Sequence, residues 1–227
     1  MKDYLKRICQ EKKNIVLIGE AGSGKTEVSI NMATLLTKVS RKTIHMFDMD
    51  QTKPIFRARD SAGSMESEGV IFHYQKQYMD APIVASGVIE KLRDPESIVL
   101  LDIGGGAYGS HMIGQFASYL NSPDTKVLFL INPYRPWSGS LDNIEETIRR
   151  TVGAAHLNEI SIAANPNLGL ETTAEDVISG LNMLRRILPG MNIEFLCVRK
   201  ELAAAVAKSC DLPVLPVTLN TPPEWLG

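Results

Sequence analysis

Residues 14–26 read Asn14-Ile-Val-Leu-Ile-Gly19-Glu-Ala-Gly-Ser-Gly24-Lys25-Thr26. The apolar, mostly β-branched run predicts a strand covered on both faces. The eight residues from Gly19 to Thr26 fit G-x-x-x-x-G-K-[ST] in full. They follow that strand and open an amphipathic helical pattern, which is the context a phosphate loop requires. Glycines let main-chain N–H groups turn inward around an anion without Cβ clashes, and the positive end of the helix dipole points at the same place. The stretch expected to contact a nucleotide is Gly19, Glu20, Ala21, Gly22, Ser23, Gly24, Lys25, Thr26 and Glu27. Lys25 is expected to reach the β- and γ-phosphates, and Thr26 Oγ to ligate Mg²⁺, a hard ion that takes oxygen donors. The bland alternative is a glycine-rich strand-to-helix turn.

Outward from this segment, short apolar runs alternate with helical patterns. Strands are expected at Thr43–Asp48, Ser97–Asp102, Lys126–Ile131, Glu159–Ala164, Asn192–Cys197 and Pro213–Leu215. Helices are expected at Lys25–Val39, Ser140–Val152, Thr173–Leu188, where Thr173-Ala-Glu-Asp176 is a start signal, and Glu201–Ser209. This alternation predicts one domain over 1–227: an α/β, three-layer, doubly wound and mainly parallel sheet of about seven strands, with ligands beyond the carboxyl ends of the strands. Gln51 to Ile83 is the least regular region and reads as a mobile loop. The last eight residues read as an extended tail.

Composition narrows the classes. The formal net charge is −2 over 227 residues, which gives no clear nucleic-acid or acidic-lipid signal. The longest apolar runs are too short to span a bilayer, so no membrane association is expected. The cysteines Cys9, Cys197 and Cys210 form no Cys-x-x-Cys pair. An odd count with no secretory h-region leads to the expectation of a cytoplasmic protein.

Three carboxylates fall at strand ends. Asp102 closes its strand and precedes Gly104-Gly105-Gly106. An acid there, beside a phosphate loop, holds Mg²⁺ directly or through water, and the glycines let the backbone approach a γ-phosphate. Asp48 and Asp50 close the second predicted strand two positions apart, which in a strand puts both on one face. One is expected to position water and the other to support the metal. The alternatives are strand-end turns, with the pair Asp48 and Asp50 meeting Lys53 or Arg57.

Taken together, Gly19 to Thr26, Asp48-Met-Asp50 and Asp102-Ile-Gly-Gly-Gly106 resemble the MinD/ParA-type (SIMIBI class) P-loop ATPases. Relatives of these include the nitrogenase iron protein and metal-insertion ATPases. The resemblance runs in order from residue 14 to about 217. It implies ATP binding, slow Mg²⁺-dependent hydrolysis, and a nucleotide-sandwich homodimer that switches a protein partner. It places Asp50 in switch I as the water-positioning residue and Asp102 to Gly106 in switch II. It makes Lys25, Asp50 and Asp102 catalytic, and Thr26, Asp48 and Asp102 the metal-side residues. Asn165 falls where the family has an Asn that contacts the base. Adenine is expected, because a GTPase would show Asn-Lys-x-Asp and this chain reads Asn165-Pro-Asn-Leu168. Two departures stand out. The family's signature Lys after the first glycine is here Glu20, which cannot donate to a phosphate across a dimer interface. The paired cysteines of the metal-carrying branches are absent from the sequence.

Other residues are read as structural. His45 is expected to be packed, and His73, His111 and His156 have no ligand spacing. Arg135, in Tyr134-Arg-Pro-Trp137, lies at the ligand edge, either touching phosphate or serving a rigid turn. Arg57 and Arg59 read as a solvated face, and Arg149-Arg150 and Arg185-Arg186 as outer-helix residues. Two rival functions remain. A small-molecule kinase would need a lid bearing arginines, and a binding module with negligible turnover is compatible with Glu20.

Overall fold

A computed structural model describes residues 1–50, 65–73 and 87–219. Among these residues, eight strands form one sheet in the order β3-β2-β4-β1-β5-β6-β7-β8. They are β1 (Asn14–Ile18), β2 (Thr43–Asp48), β3 (Val70–His73), β4 (Ser97–Asp102), β5 (Thr125–Ile131), β6 (Ser161–Ala164), β7 (Ile193–Arg199) and β8 (Val214–Val217). Every pairing is parallel. The architecture is the α/β fold of P-loop NTPases.

Successive side chains of a strand point to opposite faces, and both faces are covered. Ile15 and Leu17 of β1 pack with Tyr4, Leu5 and Ile8 of α1 (Lys2–Glu11) and with Val28, Met32 and Leu36 of α2 (Lys25–Thr37). Val16 and Ile18 enter the other cluster. There Val88 and Leu92 of α3 (Val88–Arg93), Ile144 of α6 (Leu141–Ala154) and Val177, Leu181 and Leu184 of α7 (Ala174–Ile187) cover the sheet. Burial on two faces is why these strands read as continuous apolar runs. Two helix starts expected from sequence are capped by side chains. Ser140 accepts from Asn143 N at 3.3 Å, and Thr173 and Asp176 form a capping box. Shorter α-helices among the described residues include α4 (Gly106–His111), α5 (Ala117–Leu120) and α8 (Lys200–Val206).

The sheet has eight strands where about seven were expected, and it is wholly parallel. The additional strand is β3, inside the stretch that read as irregular. Its four residues show one buried side chain, so no apolar run announces it. What fixes it is its partner: Ile44 to Phe47 of β2 stand in register with Val70 to His73. The expected loop character of 51–64 and 74–83, including Lys53, Arg57 and Arg59, lies outside the described residues, as does the tail from 220.

A histidine pair joins this edge strand to β2. His45 Nδ1 and His73 Nε2 are 2.8 Å apart, and the His73 ring stacks on Phe47 with centroids 4.1 Å apart. His45 is buried, as expected from its place in a strand. Burial holds both imidazoles below the ordinary histidine range. The Lys91 ammonium adds to this at His45 against the Asp94 and Glu90 carboxylates. At His73 the neighbouring His45 and Lys91 add to it. A folded-state pKa below the unfolded one means that the unfolded chain takes up protons first, so stability falls with acidification. Stability is therefore expected to be flat above about pH 7 and to decline as pH drops through about 6.5, the unperturbed histidine value. Urea unfolding from pH 8 to 5 checks this: the decline should shrink in His73→Phe, and an identical profile would contradict it.

Candidate functional site

The sheet order makes β1 the switch point. The chain leaves β1 for β2 and β3 on one side of β4, and later returns to β5 on the other side of β1. Crossovers that diverge leave a crevice at the carboxyl ends of β4, β1 and β5. Residues 19–24 fill it. Gly22 and Gly24 have φ of 74° and 93°, the left-handed region that favours glycine. At Gly24 space is also closed, because a Cβ there would stand 2.3 Å from Asn165 Nδ2. Gly24 caps α2, so the amides of Lys25 and Thr26 open a helix of thirteen residues. Lys25 is buried, and its Nζ donates to the Glu20 carbonyl at 3.0 Å, bridging the two ends of the loop. Thr26 and Glu27 follow in the first helical turn, both half-buried.

The acids arrive from neighbouring strands. Asp102 of β4 is in register with Leu17 of β1 and with Asp48 of β2. The three strand ends therefore lie side by side, with Asp102 fully buried. The expectation that Asp48 and Asp50 share a strand face needs correction. β2 ends at Asp48, and Asp50 follows in a turn in which its N–H donates to Asp48 Oδ1 at 3.0 Å. The turn still brings Asp50 to the site: its Oδ1 lies 3.0 Å from where a Cβ on Gly104 would be. Two carboxylates and the Thr26 hydroxyl at one sheet edge are the donor set that a magnesium–phosphate complex takes, with phosphate oxygens and water completing the shell. Among the described residues no three His, Cys, Asp or Glu side chains converge as a metal cage.

The glycine triplet after β4 packs directly on the loop. A Cβ on Gly105 would stand 2.9 Å from the Cα and N of Ala21, and Gly106 N donates to Gly19 O at 3.4 Å. Any movement of the Asp102–Gly106 turn is therefore felt at residues 19–21.

Two arginines reach the loop. Arg135 Nε, after β5, donates to Gly22 O at 3.0 Å. Arg150, on α6, pairs with the Glu20 carboxylate. Reading Arg149 and Arg150 as outer-helix residues holds for Arg149, which pairs with Glu146 at 2.8 Å on the surface. Arg150 lies on the same helix with its side chain 53% exposed, and from the flank of α6 that long side chain also reaches the loop. Position after a strand hinted at Arg135. Nothing local marked Arg150, because its role depends on α6 standing beside residue 20.

Asn165, after β6, donates from Nδ2 to Ser23 O at 2.8 Å and is buried. In this arrangement it braces the loop. Gly180 permits the close approach behind it, since a Cβ there would meet Pro166 at 2.6 Å and Pro133 at 3.0 Å. His111 and His156 are exposed. No helix among the described residues is long and apolar enough to cross a membrane.

No family model matches the sequence. No curated protein matches it either. Solved structures do resemble it. The signal recognition particle receptor FtsY from Elizabethkingia anophelis aligns at 15% identity and TM-score 0.54, over 96% of this chain and 68% of that one. The cell division protein FtsY from Thermotoga maritima aligns at 13% identity and TM-score 0.53, over 87% and 68%. The signal recognition particle 54 kDa protein from Aeropyrum pernix K1, in complex with GDP, aligns at 18% identity and TM-score 0.54, over 86% and 46%. At these identities the likeness establishes the fold.

Proposed function

We propose that this chain binds a nucleoside triphosphate with Mg²⁺ in the 19–26 loop, hydrolyses it slowly, and signals the bound state to a protein partner. One observation carries the reading: the loop with Lys25 is flanked by Asp48 and Asp102 at adjacent strand ends, and the glycine turn after Asp102 rests on Ala21. In such a site catalysis is positioning and charge stabilisation. The amides of residues 22–26 and the Lys25 ammonium hold the phosphates. Thr26, Asp48 and Asp102 hold the magnesium, which when bound neutralises charge developing on the phosphate oxygens. Asp50, beside Gly104, orients the attacking water. The Asp102–Gly106 turn then moves with the presence or loss of the terminal phosphate.

The MinD/ParA-like order of motifs and the likeness to signal-recognition-particle proteins meet within the SIMIBI class. They differ on the base. ATP is favoured by residues 165–168, where Leu168 stands at the place of a guanine-reading carboxylate. GTP is the second reading, favoured by the GDP in the similar Aeropyrum pernix structure. Competition of ATP and GTP against a fluorescent triphosphate decides between them. ATP displacing it at markedly lower concentration supports adenine, and the reverse order overturns it.

A small-molecule kinase is a further reading, because Arg135 and Arg150 do stand at the loop. With γ-labelled nucleotide, the hydrolase reading expects label in inorganic phosphate alone. Label transferred to a metabolite would replace it with the kinase.

A further inference from the structure

The second residue of the loop is an acid, and it is engaged on every side. The Glu20 side chain is 16% exposed. Its Oε1 accepts the Ala21 N–H at 2.9 Å and lies 3.0 Å from where Gly106 would carry a Cβ. Its Oε2 pairs with the Arg150 guanidinium. A loop amide, a guanidinium and the edge of a glycine turn are the contacts an oxyanion makes in a phosphate site.

The place of these contacts along the loop identifies which phosphate. Amides at the start of α2 hold the inner phosphates. Ala21 lies at the opposite end, pressed against Gly105. That end faces the terminal phosphate if the glycine turn responds to it. A terminal phosphoryl group placed there beside an unmoved Glu20 would set like charges together in a partly buried site, where repulsion is weakly screened. A diphosphate, stopping short of Ala21, meets no such conflict. The Arg150 side chain is 53% exposed, which leaves it room to move with whichever anion it pairs.

On the reading given above, we propose that Glu20 is an internal stand-in for the terminal phosphate. Its carboxylate holds the Ala21 amide and Arg150. It disfavours triphosphate relative to diphosphate, and when displaced it passes Arg150 to the terminal phosphate. Arg150 is then a phosphate-contacting cation supplied within the chain. Glu20 sets the preference between the two nucleotides.

The test is the affinity of the full chain, with Mg²⁺, for a non-hydrolysable triphosphate and for the diphosphate of the same base. Glu20→Gln is expected to raise the triphosphate-to-diphosphate affinity ratio about ten-fold, and Arg150→Gln to lower it about ten-fold. The double variant should fall below Glu20→Gln. A purely structural ion pair would shift both nucleotides together with the unfolding midpoint and leave the ratio unmoved. If Arg150→Gln fails to fold, Arg150→Lys gives the same reading, with a smaller decrease. Wild type binding both nucleotides, with the ratio within two-fold in both single variants, overturns this inference and leaves the nucleotide site standing. Wild type binding neither nucleotide overturns both.

Discussion

Lys25→Ala is expected to weaken magnesium-triphosphate binding by on the order of 10²-fold or more and to abolish turnover, because a charge-assisted contact to phosphate is lost in a partly dry site. The fold should survive the change. Lys25 is buried, and its Nζ donates to the Glu20 carbonyl, a main-chain group that the substitution leaves in place. Alanine is the best helix former for the first turn of α2, and removing a buried ammonium lifts its desolvation cost. The expected pattern is an unfolding midpoint close to wild type with affinity gone. Lys25→Arg should not restore function, since a planar fork does not replace a compact ammonium inside a closed loop. Phosphate release by Lys25→Ala at the wild-type rate would place the activity elsewhere.

The second large effect is expected at Gly105. Its backbone, at φ −65° and ψ 142°, suits any residue, so a substitution there acts through space and not through strain. A Cβ would stand 2.9 Å from two backbone atoms of Ala21 and 3.1 Å from its Cβ. Backbone cannot step aside as a side chain can, so Gly105→Val must lift the glycine turn from the loop. Overpacking of this kind costs roughly 1–3 kcal/mol. If the turn reads the terminal phosphate, turnover should fall by on the order of 10–10²-fold while diphosphate binding changes little. Gly153→Ala is the control: nothing lies within 4 Å of its Cβ, and in α6 the change should stabilise by about 0.5–1 kcal/mol. Equal losses in the two variants would refute the steric account.

Much of this site was legible in the sequence because its determinants are local. Gly22, Gly24 and Lys25 sit in one turn whose glycines answer to backbone geometry, and the apolar run before them places that turn at a strand end. Asp102 was legible for the same reason. What was not legible depends on partners distant in sequence. β3 has a single buried side chain and exists through its pairing with β2. Asp50 reaches Gly104 through a turn on Asp48 and not by strand alternation. Arg150 reads in sequence as an outer-helix residue, because no periodicity records that Glu20 lies across from it. Glu20 at the second loop position departs from the family pattern in the sequence itself. Its contacts are set by the fold, which brings Ala21 N–H and Arg150 together on its carboxylate.

The central claim is that main-chain amides between Gly22 and Thr26 wrap a polyphosphate. Amide NMR of the full chain, titrated with Mg²⁺ and a non-hydrolysable triphosphate, addresses it residue by residue. The account predicts saturable shifts largest at Gly22, Ser23, Gly24, Lys25 and Thr26, smaller ones at Gly104 to Gly106, and none of these in Lys25→Ala. Absence of saturation with both ATP and GTP analogues, or shifts centred away from the carboxyl ends of β1 and β4, would contradict it.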